Sequence, residues 1–418
     1  MIFWTYNVLL ILLCLLWVPW MIWRAARRKE KPNWRQRTGD LPLESPKKGV
    51  RRAWIHAVSV GEVLAARPIL KEIRKLDPEL EIVLSTTTSS GQAAARDNAE
   101  GLFDHLVYFP IDVPRFVIAA MIRVRPRVVA IMETELWMNF LWAAKQFRAT
   151  TILVNARVSN RSFPRSMRIR PYYRVLFSNL DRAMAQTKTD AARLKALGFA
   201  EPEVVGNCKF DGAFDDTGHE KDWRAELGIP ADAKVVVVGS TRSEREEQLV
   251  LGALKAADLD LWIVHAPRHI ESAPRLGALY KTRFGEVAFR SKGETGKCLV
   301  LDTYGELAGV YSIADVVVLG GSFDDLGGQN ILQPLAHGKP VIHGPHMQNF
   351  QEAAAAAAEA RAAITARNEQ ELTDWLKRLF QSEAVRAIMG SAATALIQEN
   401  LGASRTYAEA IVEAAKPG

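Results

Sequence analysis

Trp54-Ile55-His56-Ala57-Val58-Ser59-Val60-Gly61-Glu62 decides the fold. An apolar run of strand length passes through a short Ser/Gly loop into the helical pattern Glu62–Leu76, which is one strand-loop-helix step of a doubly wound α/β unit. The step recurs along the chain. Strands are predicted at Ala53–Ala57, Glu81–Ser85, Leu106–Phe109, Val128–Met132, Thr151–Val154 and Ala183–Gln186, and again at Lys234–Val238, Leu261–His265, Cys298–Leu301, Val316–Leu319 and Pro340–Ile342. Continuous apolar strands alternating with helices imply parallel sheets covered on both faces. Between the two series, residues from about Asp211 to Asp232 are polar and punctuated by Gly and Pro. The expected division is therefore a first Rossmann-like unit over residues 53–215, a linker over 216–232 and a second unit over 233–418. At 418 residues the chain exceeds what one hydrophobic core usually serves. Two such units facing each other leave a cleft, and open α/β sheets bind ligands at the carboxyl ends of their strands, which suits a two-substrate transfer. Glu352–Ala363, rich in alanine, reads as a helix without chemistry of its own.

The amino terminus has a different character. Ile2 to Trp23 holds no charged residue, and at ~1.5 Å per residue such a helix covers about 33 Å of bilayer. Trp4, Tyr6, Trp17, Trp20 and Trp23 crowd its two ends, as interfacial aromatics do. From Arg24 to Arg52 eleven lysines and arginines face three acids, so the formal charge of +7 is concentrated there and the remainder is close to neutral. That placement marks a basic juxtamembrane segment over residues 24–52, after an anchor helix over residues 1–23, and not a nucleic-acid surface. No basic residue precedes the apolar run, unlike a cleaved signal peptide, and the positive-inside rule puts the main body in the cytoplasm. A spanning helix and one lying in the inner leaflet both fit. Cys14, Cys208 and Cys298 are too far apart for a thiolate zinc site or a disulfide framework.

Chemistry-bearing residues gather where the predicted strands end. Glu62 opens the first long helix at a strand's carboxyl end, where the helix dipole is expected to depress its pKa unless burial opposes it. Glutamate is also favoured there for the helix alone. Met132-Glu133-Thr134-Glu135-Leu136-Trp137 puts two carboxylates directly after a buried strand. Arg157, Arg161, Arg165, Arg168, Arg170 and Arg174 form a cluster suited to phosphate or carboxylate groups, or else a solvated helix face. In the second half, Gly320-Gly321-Ser322-Phe323 and Gly327-Gly328-Gln329-Asn330 stand before a helical stretch, Ile331–His337, where backbone N–H groups can approach a phosphate. His265-Ala266-Pro267-Arg268-His269 and Asp302-Thr303-Tyr304-Gly305-Glu306-Leu307 leave neighbouring strand ends, and several such loops on one edge describe a nucleotide site. No metal-ligand spacing, Walker A or G-x-G-x-x-G motif occurs, so no cofactor and no metal are expected.

These residues resemble the bacterial 3-deoxy-D-manno-octulosonic acid (Kdo) transferases of lipopolysaccharide assembly. The likeness runs through His56-Ala57-Val58-Ser59-Val60-Gly61-Glu62, the Met132–Trp137 motif, Asn155-Ala156-Arg157, Gly206-Asn207-Cys208-Lys209-Phe210-Asp211, the Asp302–Leu307 motif, Gly320-Gly321-Ser322 and Gly344-Pro345-His346. The resemblance implies a GT-B fold, two Rossmann-like domains facing a cleft with an N-terminal membrane anchor helix. It also implies CMP-Kdo as donor, a lipid A precursor as acceptor, inversion at the anomeric carbon, and a place at the inner membrane with cytoplasmic catalytic domains. It assigns Glu62 as general base, and Glu133 and Lys209 as transition-state-stabilising groups, with Lys209 able to neutralise the departing phosphate. Pro267, Arg268, Tyr304, Gly305, Glu306, Asn330, Ile331, Leu332 and Gln333 fall where the family holds CMP. Two departures lie on the donor side. Gly327-Gly328-Gln329-Asn330-Ile331-Leu332-Gln333 ends in an amide where relatives carry an acid, and Gly239-Ser240-Thr241-Arg242-Ser243-Glu244-Arg245-Glu246-Glu247 replaces a shorter loop. They keep two rivals in view: a GT-B enzyme using another nucleotide sugar, and a catalytically degenerate membrane nucleotide-binding protein.

Overall fold

The structure, a computed structural model, describes residues 2–28, 33–214 and 221–416. Among them the chain forms two compact units, one comprising residues up to Gly212 together with the segment from Asn400, the other spanning Ala213–Glu399. The first carries seven parallel strands: β1 (Arg52–His56), β2 (Glu81–Thr86), β3 (His105–Tyr108), β4 (Val128–Met132), β5 (Thr150–Ala156), β6 (Arg182–Ala185) and β7 (Glu203–Val204), in spatial order 3-2-1-4-5-6-7. The second repeats the plan with β8 (Val235–Thr241), β9 (Trp262–Pro267), β10 (Ala288–Phe289), β11 (Cys298–Val300), β12 (Val316–Leu319), β13 (Val341–His343) and β14 (Ala363–Thr365), in order 10-11-9-8-12-13-14.

Alternation along the strands feeds two cores in the first unit, because successive side chains leave opposite faces of a sheet. Trp54, Val83, Val129, Ile131 and Leu153 enter one cluster. Ala53, Ile55, Val128, Ala130 and Met132 enter the other. In the second unit Val236, Val238, Val316, Val318 and Ile342 pack against Val250, Leu251, Leu372 and Leu376 from the helices Glu244–Ala257 and Glu369–Gln381. The strand order reverses between β1 and β4 and between β8 and β12, so each sheet has a switch point where loops diverge and a ligand can sit.

Four differences from the sequence reading have physical causes. Strands β7, β10 and β14 have two or three residues each, and too short an apolar run to register. The alanine-rich helix closes at Glu359, and Arg361, in left-handed backbone with φ 59°, turns the chain into β14. The C-terminal helix Ala403–Ala415, assigned from sequence to the second domain, packs Tyr407, Ala408, Ile411 and Ala415 into the first unit's core. Fourth, the segment read as juxtamembrane makes structural contacts: Arg37 donates to the Thr87 carbonyl at 2.7 Å, while Arg51 pairs with Asp77 and Arg52 with Glu81. Part of the basic segment thus braces the first sheet; its residues 29–32, and residues 215–220 at the expected linker, lie outside the described residues.

The N-terminal helix runs from Ile2 to Arg28, past the predicted stop, and contains Pro19. No helix among the described residues is long and apolar enough to cross a membrane. The helix's first turns are docked on the first unit: Phe3 meets Trp142 and Tyr6 meets Tyr172 with centroids 5.7 and 5.8 Å apart. Tyr6 donates its hydroxyl to buried Asp112 at 2.7 Å, and Asn7 and Asn139 exchange side-chain hydrogen bonds. Asp112 also accepts the backbone N–H groups of Asn139 and Phe140 at 3.1 and 2.8 Å. Asp112→Ala would strand these donors, and buried donors without acceptors cost about 1–3 kcal/mol each. The expected result is a loss of about 2–4 kcal/mol in urea unfolding, with earlier proteolytic release of the helix; a change below about 0.5 kcal/mol would show the latch to be idle.

Candidate active site

The first unit's switch point assembles a charged cluster from four strand ends. Beyond β1 the chain loops through Ala57 and Val58 to Ser59, which precedes the helix Val60–Leu76. Glu62, in its first turn, folds back so that its carboxylate accepts the Val58 N–H at 2.9 Å and the Ser59 hydroxyl at 3.2 Å. This Ser-x-x-Glu arrangement resembles a capping box and fixes the rotamer. Contrary to the dipole expectation, the Glu62 pKa is pushed up to about 7: burial raises it most, with Glu133 and Glu135 adding to the rise against the Val58 hydrogen bond. Burial wins because a half-buried carboxylate beside two others loses more hydration than one amide returns.

Glu133 follows β4 directly in left-handed backbone, φ 55°, while its N–H continues the ladder to the Val154 carbonyl at 3.0 Å. A non-glycine residue held there costs about 1–2 kcal/mol, and such strain collects at functional sites. Lys209, on the loop after β7, places its ammonium 2.7 Å from Glu133, and Arg157, beyond β5, comes within 3.9 Å of it. Burial, then Glu133, raises the Glu135 pKa. Glu62, Glu133 and Lys209, assigned together from sequence, are therefore neighbours: a candidate base beside a carboxylate–ammonium pair. The arginine run divides. Arg157 comes within ion-pair distance of Glu133, whereas Arg161, Arg165, Arg168 and Arg174 are exposed around the helices Phe163–Arg168 and Arg170–Phe177.

In the second unit the predicted nucleotide loops all leave the carboxyl edge. Pro267 closes β9, and Arg268, exposed, donates its N–H to the Thr241 carbonyl at 2.8 Å. Tyr304 is 69% exposed, Gly305 has φ 82°, and the Glu306 carboxylate pairs with Arg290 and Thr303. Glu306's pKa is lowered despite burial, through its bonds to Arg290 and Thr303, so it enters any ligand contact as an anion already committed to a neighbour. The Asn330 side chain accepts the Leu332 N–H at 3.0 Å, and Ile331 and Leu332 turn their side chains inward, leaving half-buried Gln333 as the polar side chain beyond them.

The glycine turn after β12 is used differently from the sequence expectation. The N–H groups of Ser322 and Phe323 point to the carboxylate of Glu246, at 2.9 and 3.1 Å, and the other oxygen of Glu246 takes the Arg242 N–H at 2.9 Å. A Cβ on Gly320 would lie 2.6 Å from the Thr241 backbone, so glycine permits this approach of the two switch-point loops. Glu246, fully buried, was not singled out from sequence, although Ser243-x-x-Glu246 ahead of a helix is a legible capping signal. Glu246→Gln turns one acceptor into an NH₂ facing N–H donors, and the expected loss is about 2 kcal/mol of unfolding free energy. Chemical denaturation checks it, and an unchanged midpoint would mean the turn holds without the carboxylate.

Residues 32–212 match the family model described as 3-deoxy-D-manno-octulosonic-acid transferase (kdotransferase). The chain is 34% identical over 392 residues to the 3-deoxy-D-manno-octulosonic acid transferase of Bordetella pertussis, covering 88% of this chain and 87% of that one. To the enzyme of the same name from Chlamydophila psittaci it is 31% identical, covering 72% and 71%. Among solved structures, MurG of Acinetobacter baumannii superposes with a TM-score of 0.58 at 13% identity, over 87% of this chain and 99% of MurG, a likeness of fold.

Proposed function

The chain belongs to the 3-deoxy-D-manno-octulosonic acid (Kdo) transferase family, a glycosyltransferase of GT-B type, and on that premise we propose that it moves Kdo from CMP-Kdo to a lipid A precursor with inversion at the anomeric carbon. The observation that carries the reading is the placing of the Glu62 carboxylate, fixed by the Val58 N–H and the Ser59 hydroxyl beside the Glu133–Lys209 pair, where burial pushes its pKa up to about 7. A general base works best when its pKa lies near the operating pH.

In the proposed step an acceptor hydroxyl attacks the anomeric carbon of Kdo and gives its proton to Glu62. The new C–O bond forms as the bond from the anomeric carbon to the CMP phosphate oxygen breaks, and that oxygen leaves with the electron pair. Lys209, held by Glu133, offers positive charge to the transition state. The loops at Pro267–Arg268, Tyr304–Glu306 and Asn330–Gln333 hold the nucleotide.

A lipid acceptor accords with the surface around the base. Val60 and Leu64, one on each side of Glu62 along the helix, are 39% and 42% exposed. The N-terminal helix likewise exposes Val8, Leu9, Ile11, Leu12, Leu13 and Leu15, and the segment after β5 exposes Met167 and Ile169 together with Arg161, Arg165, Arg168 and Arg174. Exposed apolar side chains and exposed arginines in one segment suit the interface of an anionic bilayer. The proposed location is the cytoplasmic face of the inner membrane, with the docked helix as the anchor. Purified protein incubated with CMP-Kdo and a tetraacylated lipid A precursor is expected to give a Kdo-bearing lipid by mass spectrometry. Turnover with a UDP-sugar but none with CMP-Kdo would reassign the donor, and CMP binding with no turnover on any donor would remove the reading.

A further inference from the structure

Lys209 has four rotatable side-chain bonds and sits on a loop, yet the proposed chemistry needs its ammonium in one place. The loop is fastened at successive residues. Tyr407, on the C-terminal helix, donates its hydroxyl to the Gly206 carbonyl at 2.7 Å. The Cys208 N–H donates to the side-chain oxygen of Asn155 at 3.2 Å, and the Cys208 thiol donates to the carbonyl of Ala65, about one turn past Glu62 on the helix Val60–Leu76. The Lys209 N–H is taken by the Asn207 side chain at 3.0 Å. Asp211 closes the segment by accepting the N–H groups of Gly402 and Ser404 at the start of the C-terminal helix, both at 2.6 Å.

Asn155 is the joint between this loop and the sheet. It lies at the end of β5, fully buried, in left-handed backbone with φ 53°, and its carbonyl accepts the Gln186 side chain at 3.0 Å. Few residue types satisfy both demands. Glycine tolerates the backbone but brings no acceptor; aspartate brings the acceptor with a charge in a dry position; asparagine tolerates left-handed backbone and accepts without charge. Its Nδ2 is buried and has no hydrogen-bond partner among the described residues. A side chain chosen for packing alone would avoid that cost, so the oxygen on the other branch of the amide is what the position keeps.

We propose that Asn155 is a positioning residue for Lys209: from the end of β5 its buried oxygen holds the Cys208 amide and so sets the lysine ammonium against Glu133, with Tyr407 bracing the loop from the C-terminal helix. The inference rests on the Kdo-transfer reading of the site and adds a residue to it. The acid side of the pH–rate profile reports on the arrangement, because a displaced ammonium leaves Glu133 less compensated and Glu62 harder to ionise.

The test is a double-mutant cycle in the full-length chain, with CMP-Kdo and a lipid A precursor. Asn155→Gly keeps the backbone conformation and deletes the acceptor. Expected are a fall in kcat of about 10- to 100-fold, little change in KM for CMP-Kdo, and a shift of the acidic limb to higher pH. In a Lys209→Met background the same substitution is expected to cost less than about threefold, since residues acting as a unit are not additive. Tyr407→Phe, which deletes one hydroxyl, serves the same cycle if Asn155→Gly folds poorly by melting temperature. Equal factors in both backgrounds, or a lower kcat with an unmoved acidic limb, would overturn the inference while leaving the role of Lys209 standing. Full activity of Lys209→Met would strike at the proposed site itself and carry the inference down with it.

Discussion

Glu62→Gln is expected to lower kcat for Kdo transfer by about 10²- to 10⁴-fold, the range that a positioned general base supplies. The amide oxygen of glutamine can still accept the Val58 N–H, now taken by the carboxylate at 2.9 Å, so the loop and the start of the helix keep their geometry. What disappears is the proton acceptor. The sign of the pH dependence follows from the raised pKa. Glu62 acts only when ionised, and with its pKa near 7 the wild-type rate should fall about tenfold for each pH unit below that value and level off above it. The variant should show no such limb. Initial rates from pH 5 to 9 read both features together. A variant that keeps more than a tenth of wild-type kcat, or that retains the acidic limb, would take the proton to another group.

The strand-loop-helix rhythm was legible because buried parallel strands carry long apolar runs, and β4 and β12 lie where that rhythm put them. The site was legible only where strand ends bear charge. Ser59-x-x-Glu62 and Ser243-x-x-Glu246 show why pattern alone stops short. Each opens a helix after the first long strand of its unit, and in sequence the two glutamates are alike. Glu246 meets three backbone N–H groups and is fully buried, so it is spent on joining two loops. Glu62 meets one N–H and a hydroxyl, remains half-buried, and faces the field of Glu133 and Glu135. The difference lies in partners brought from residues 133, 135, 322 and 323, distant along the chain. The return of the C-terminal helix to the first unit escaped for the same reason: Tyr407 meets Gly206, and Ser404 meets Asp211, across 201 and 193 positions of chain, beyond the reach of local periodicity.

Lys209→Met tests the charge pair beside the base, and two effects of different kind are expected. Removing one preorganised stabiliser of transition-state charge typically lowers kcat by about 10²- to 10³-fold, and because the charge develops during transfer, KM for the donor should change little. The second effect is electrostatic and reaches Glu62. Lys209 lies 2.7 Å from Glu133, while Arg157 stands farther off at 3.9 Å, so the substitution leaves the Glu133 carboxylate with its weaker partner. Glu133 already raises the pKa of Glu62, and with less compensation it raises it further. The acidic limb should therefore move above pH 7, leaving less of the base ionised at neutral pH and part of the loss recoverable by assaying at pH 8–9. Methionine keeps the unbranched stem, so packing around the loop is preserved. A rise in KM with unchanged kcat would make Lys209 a ground-state binding group, and an acidic limb that stays in place would separate the lysine from the base it is held to serve.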